Sequence, residues 1–220
     1  MKGFYVVLVT VAVVGGGVIW YGSRAQPASA PPPGASPRVA ASDGFRGFTL
    51  GSDVAPVEVT EYSDFECPFC ASFATVQMPV IRDQLITTGR VRWRYRDFPL
   101  SDTHRWARLA ALAAQCAGEQ GKFWEMHDQM FLHHRWAQTS KNPRSLFRDF
   151  AEGVGADLDK YDACVDGDRY AGRVQASFEE GAALGVRGTP TFFVNGKRFE
   201  GRPTSDGFKA LVDSLTKPGK

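Results

Sequence analysis

Two cysteines separated by two residues, Cys67-Pro68-Phe69-Cys70, stand where a β-forming run meets a helical one, and this junction constrains the chain more than any other feature. Upstream, residues 57–65 read VEVTEYSDF, a strand whose two-residue period puts Val57, Val59 and Glu61 on one face. Downstream a helical run extends to about Thr88, with Pro68 suited to a first helical position and Pro79 expected to kink the middle. A cysteine at a helix N-terminus meets unpaired N–H groups and the positive end of the helix dipole, and both stabilise a thiolate. Cys67 is therefore the expected nucleophile. Cys70, one turn further in and on the buried side, is the expected resolving thiol that breaks a mixed disulfide. Such a pair also serves as half of a zinc site or as a structural bridge. No second Cys-x-x-Cys exists, and Cys116 and Cys164 lie far apart on helical segments.

The rest of the body alternates in type. Residues 91–98 set Val91, Trp93 and Tyr95 against Arg92, Arg94 and Arg96, a second strand with one charged face. From His104 to about Gly185 the signals are helical, in four or five segments broken by Gly, Pro and Asn. Residues 191–194 form a short strand, Asn195-Gly196 is a two-residue hairpin turn, residues 197–200 return, and residues 206–215 close with a helix. Strand, helix, strand, helical insert, hairpin and helix make an α/β layer with a helical cap.

Ahead of this body, residues 4–21 carry no charge, follow Lys2, and are just long enough to span a bilayer. Residues 1–21 read as a signal anchor or signal peptide. Ala28-Ser29-Ala30 has the small-x-small pattern of a cleavage site, but Pro31 follows at once, which favours retention as an anchor. Residues 22–44 are almost wholly Gly, Ser, Ala and Pro and make a flexible linker. The formal charge of +2 lies entirely in these leading residues, because residues 45–220 hold 23 basic and 23 acidic side chains. A neutral body argues against a nucleic-acid partner.

Glu61-Tyr62-Ser63-Asp64-Phe65-Glu66-Cys67-Pro68-Phe69-Cys70, with Gly188-Thr189-Pro190-Thr191-Phe192-Phe193-Val194-Asn195-Gly196 far downstream, resembles the DsbA-like branch of the thioredoxin superfamily over roughly residues 47–216. The resemblance implies a thioredoxin fold over residues 45–220, with a helical insert at about 101–186. It implies that Pro190 is cis and lies beside the cysteine pair, so that Thr189 presents its backbone to an extended substrate strand. Pro68 and Phe69 belong to the same substrate-binding edge. It places a buried acid six residues before the first cysteine, at Glu61, which could relay the proton of Cys70; the alternative is a glutamate ion-paired with Arg94 or Arg96. Phe69 stands where strongly oxidising members have histidine, so a donor to the thiolate is missing.

A second cysteine pair in the helical block of some relatives, with the even cysteine count, points to a structural disulfide between Cys116 and Cys164, the alternative being two buried free thiols. His104, His127, His133 and His134 lack a metal-ligand pattern and read as helical surface histidines. Phe123, Trp124, Met126, Met130 and Phe131 have helical spacing and read as core.

The expected protein is a monomeric, membrane-tethered thiol–disulfide oxidoreductase without a cofactor, facing the periplasm or cell envelope. It would act on unfolded or cysteine-containing secreted proteins, with oxidation favoured over reduction, and a membrane quinone-linked partner would recycle it. A reductase or isomerase of the same fold is the enzymatic alternative, although related isomerases carry an extra dimerisation domain that the linker cannot supply. A chaperone or zinc-binding module is the alternative outside enzymes.

Overall fold

The computed structural model describes residues 44–139 and 141–217. The anchor read at residues 1–21, and all but the last residue of the linker, lie outside them. Among the described residues no helix is long and apolar enough to cross a membrane.

Five strands form one mixed sheet: β1 (Phe48–Leu50), β2 (Val57–Ser63), β3 (Val91–Asp97), β4 (Thr191–Val194) and β5 (Lys197–Arg198), in the order β1-β3-β2-β4-β5. β2 and β3 run parallel, so a crossover must join them. Residues 68–86 supply it as α1 (Pro68–Ser72), a wide turn (Phe73–Gln77), α2 (Met78–Ile81) and a second wide turn (Arg82–Ile86). The expected kink takes the form of that first wide turn. Pro79 has no N–H to bond the Thr75 carbonyl, and the ladder widens just ahead of it, with Met78 N–H reaching Phe73 O.

β1 was not anticipated. Three residues give too short a pattern to read, and the strand is defined by its setting, antiparallel to β3 and bounded by Gly47 and Gly51 at φ +108° and +99°. A Cβ at Gly47 would stand 2.4 Å from the Tyr95 carbonyl oxygen. Asn195 and Gly196 both have positive φ, 48° and 76°, as the tight turn between β4 and β5 requires.

Five helices, α3 (Ala107–Gly118), α4 (Phe123–Leu132), α5 (Arg144–Gly153), α6 (Leu158–Asp166) and α7 (Ala171–Ala183), form the inserted layer, and α8 (Ser205–Thr216) closes the fold. One apolar cluster, with Trp93, Phe73, Ile81, Phe192 and Phe208, fills the space between sheet, crossover helix and α8. A second, with Phe65, Tyr95, Phe123, Met126 and Phe131, joins the sheet to the insert and contains Cys67 and Cys70. The cysteine pair thus sits where the sheet layer meets the helical layer.

Candidate active site

Cys67 is the N-cap of α1, in extended conformation at φ −75° and ψ 124°, and Pro68 follows at the first helical position. The loop is held from below by Asp64. Its buried carboxylate accepts from the Glu66 and Leu100 N–H groups, at 2.8 Å each, and lies 2.7 Å from His104 Nδ1. Cys67 N–H bonds the Asp64 carbonyl at 3.1 Å, which fixes where the helix begins.

Cys67 and Cys70 are free thiols, and Cys70 is fully buried. The Cys70 thiol hydrogen-bonds Cys67, and with Thr189 and the N–H groups of Cys70 and Phe69 it brings the Cys67 pKa down to about 6, against the opposing effect of burial. For Cys70, burial pushes the pKa up, and the neighbouring Cys67 pushes it further. The two thiols therefore divide as attacking and resolving groups must: one ionised near neutral pH, the other protonated.

The Thr189-Pro190 peptide is cis, and Cys67 Sγ donates to the Thr189 carbonyl at 3.3 Å. The loop before β4 is thus brought against the reactive sulfur. Pro68 and Phe69 lie on the surface beside it, Phe69 at 74% exposure.

Behind Cys70 the interior is polar. Glu61 is 1% exposed and accepts from Trp93 Nε1 at 2.9 Å, and burial pushes its pKa up. Neither arginine pairs with it, because Arg94 bonds Glu58 and Arg96 bonds Glu180. The buried Ser63 side chain near Glu61 and Cys70 tempers the upward shift that burial imposes on each. Asp97 lies buried on the neighbouring strand, accepts from Gln115 Nε2 at 2.7 Å, and is pushed by burial up to about 6.

The reading of the histidines needs correction. His133 alone is fully at the surface. His104 backs Asp64, His134 Nε2 lies 3.0 Å from the Phe65 carbonyl, and His127 is 1% exposed. His104 and His134 find their partners, Asp64 and Phe65, just past the end of β2, 40 and 69 residues away, which no local spacing displays, whereas His127 pairs with its neighbour Asp128. Cys116 on α3 and Cys164 on α6 are joined in a disulfide, in the apolar cluster that also contains Cys67 and Cys70.

A family model described as Thioredoxin matches residues 46–214. The chain belongs to the thioredoxin family. Within it the chain is DsbA-like: it superposes on oxidised BdbD from Bacillus subtilis with a TM-score of 0.67 and 25% identity, covering 76% of this chain and 91% of that one. A probable disulfide bond formation protein D from Bacillus anthracis is 24% identical over 171 residues, 77% of this chain and 78% of that protein. A Na(+)/H(+) antiporter NhaA 3 from Salinispora tropica is 40% identical over 172 residues, 78% of this chain. This thioredoxin-family chain spans only 25% of that antiporter's length.

Proposed function

We propose that this chain is a thiol–disulfide oxidoreductase that donates disulfides to cysteine-containing proteins outside the cytoplasm. The observation that carries the reading is the free dithiol with its Cys67 pKa near 6, set against the cis peptide of Pro190. A stabilised thiolate favours the reduced form of the pair, which makes the disulfide form the stronger oxidant. The Cys116–Cys164 disulfide supports an oxidising compartment. A zinc-binding role would need further donors beside Cys67 and Cys70, and the other two cysteines are bonded to each other.

In this reading a substrate thiolate attacks Cys67, Cys70 leaves and takes a proton supplied through Glu61, and a second substrate thiol releases Cys67. Thr189 offers its backbone to the extended substrate, with Pro68 and Phe69 as the apolar edge it meets. The chain works as a monomer tethered by residues 1–21, and a membrane quinone-linked oxidase restores its disulfide. The test mixes the oxidised full chain with a reduced, unfolded two-cysteine substrate. Stoichiometric transfer of the disulfide, lost in Cys67→Ser, supports the reading; a reduced chain that instead opens substrate disulfides, with no forward transfer, makes it a reductase.

A further inference from the structure

We propose that the surface around Cys67 selects substrate cysteines flanked by acidic residues, and that Arg105, Arg135 and Arg187 read those residues. The proposal rests on the exchange function above and names its substrate class. Three segments far apart in sequence hold the loop that carries Cys67. Trp106 N–H donates to the Glu66 carboxylate at 2.5 Å, His134 Nε2 lies 3.0 Å from the Phe65 carbonyl, and the Thr189 carbonyl accepts from Cys67 Sγ at 3.3 Å. Each segment brings an arginine with it. Arg105 and Arg135 adjoin Trp106 and His134, one Cα step of about 3.8 Å, and Arg187 stands two residues from Thr189, at most about 7 Å along the chain.

All three arginines are exposed, and none has a carboxylate partner among the described residues. The Arg105 guanidinium lies 5.9 Å from the Trp106 ring centroid, which keeps it beside the residue that bonds Glu66. Arg82, Arg90 and Arg148, by contrast, meet Asp128, Asp213 and Asp162. Within residues 99–107, 132–139 and 186–190 the exposed acid is Asp102, one against three arginines. On a body whose basic and acidic side chains balance, the segments that meet the reactive sulfur thus carry a net positive charge.

The chemistry of the charges sets the class of partner. An arginine fork meets a carboxylate in two parallel hydrogen bonds, and at an exposed rim such charges steer the encounter more than they tighten it. Phe69, at 74% exposure, and Pro68 supply an apolar centre within that rim. The surface therefore fits a chain segment with an apolar residue near its cysteine and Asp or Glu on either side. An anionic membrane would meet the same charges, but a bilayer seated there would cover Cys67 and shut substrate out.

The test gives the oxidised full chain three reduced two-cysteine peptides that differ only in the residues beside the cysteines: Glu, Gln or Lys. Each turnover forms the peptide disulfide and breaks the Cys67–Cys70 bond. Two electrons pass to the pair, Cys70 takes one proton, Cys67 is left as a thiolate, and the other proton goes to solvent. Rates are divided by those of the same peptides with hydroxyethyl disulfide, a neutral oxidant, which removes the effect of flanking charge on the peptide thiols themselves. At about 0.01 M salt the Glu peptide is expected to react about tenfold faster than the Lys peptide, with Gln between, and at about 1 M salt the gap should close to about twofold. In the triple variant Arg105→Gln, Arg135→Gln, Arg187→Gln the Glu and Lys peptides should react within about twofold of each other at either salt concentration. A wild-type chain that treats the peptides alike or prefers Lys overturns the proposal, as does a Glu preference that the triple variant keeps. Binding to phosphatidylglycerol vesicles that the triple variant loses, with equal peptide rates, gives the patch to a membrane and overturns it too. Should the triple variant fail to fold, the single variants decide: a smaller Glu-to-Lys ratio in each supports the proposal, and an unchanged ratio in all three overturns it. Equal rates leave the exchange function standing, whereas a chain that oxidises none of the peptides has lost that function and this specificity with it.

Discussion

The thiol of Cys67 donates to the carbonyl oxygen of Thr189 at 3.3 Å, across 122 residues of chain. This contact ties the start of a helix to the start of a strand that pairs with the opposite edge of β2. In the exchange proposed above, ionisation or mixed-disulfide formation removes the Cys67 proton, which would leave this carbonyl open to an N–H of a substrate backbone.

The first prediction concerns Cys67 itself. In the reduced chain its alkylation rate against pH should show a midpoint near about 6, where an ordinary thiol would give 9.0. The same shift fixes a sign for stability. A folded-state pKa below the unfolded one makes the reduced chain gain stability as pH rises from about 6 toward the ordinary thiol range, and lose it as pH falls through 6. Denaturant titrations of the reduced chain at several pH values check it.

Cys70→Ser should leave the nucleophile in place and remove the group that resolves it. Mixed disulfides between Cys67 and substrate then accumulate, visible as reductant-sensitive adducts on a non-reducing gel, and turnover falls by at least about a hundredfold. Cys67→Ser should give no adducts.

For Asp97 the sign is the opposite of that for Cys67. Burial holds its pKa at about 6, above the ordinary 3.8, so its contribution is most favourable in acid and worsens as pH rises from about 4 to 6. Asp97→Asn keeps an acceptor for Gln115 and removes the buried charge. It should stabilise the fold by about 1–3 kcal/mol at pH above 7 and leave it nearly unchanged at pH 4, read by urea denaturation.

The Cys116–Cys164 bond closes a loop with a sequence separation of 48. The double replacement by Ala should cost about 4 kcal/mol in the chain-entropy account, read by urea denaturation.

The strand-to-helix junction at Cys67, the strand that follows the helix, a helical insert of four or five segments and the Asn195-Gly196 turn were legible because each is encoded by local periodicity or turn chemistry. Glu61 was legible for the same reason, as an acid on an apolar strand face. β1 was not, since three residues carry no period. His127 was read as a surface residue because its place on α4 beside Phe123, Met126, Met130 and Phe131 does not show that it lies on the buried stripe itself. Ser63 and Asp97 were passed over because their place arises from register: they pair across β2 and β3, and both are buried. The cis state of Pro190 came from resemblance, since composition and spacing do not encode it.

The measurement that bears most directly on the central claim is the reduction potential of the Cys67/Cys70 pair in the full chain, by equilibration against glutathione buffers. The account predicts a two-electron transition at about −120 to −180 mV, that of a disulfide donor. A value near about −270 mV would contradict the direction proposed, and a pair that does not titrate would contradict the exchange chemistry altogether.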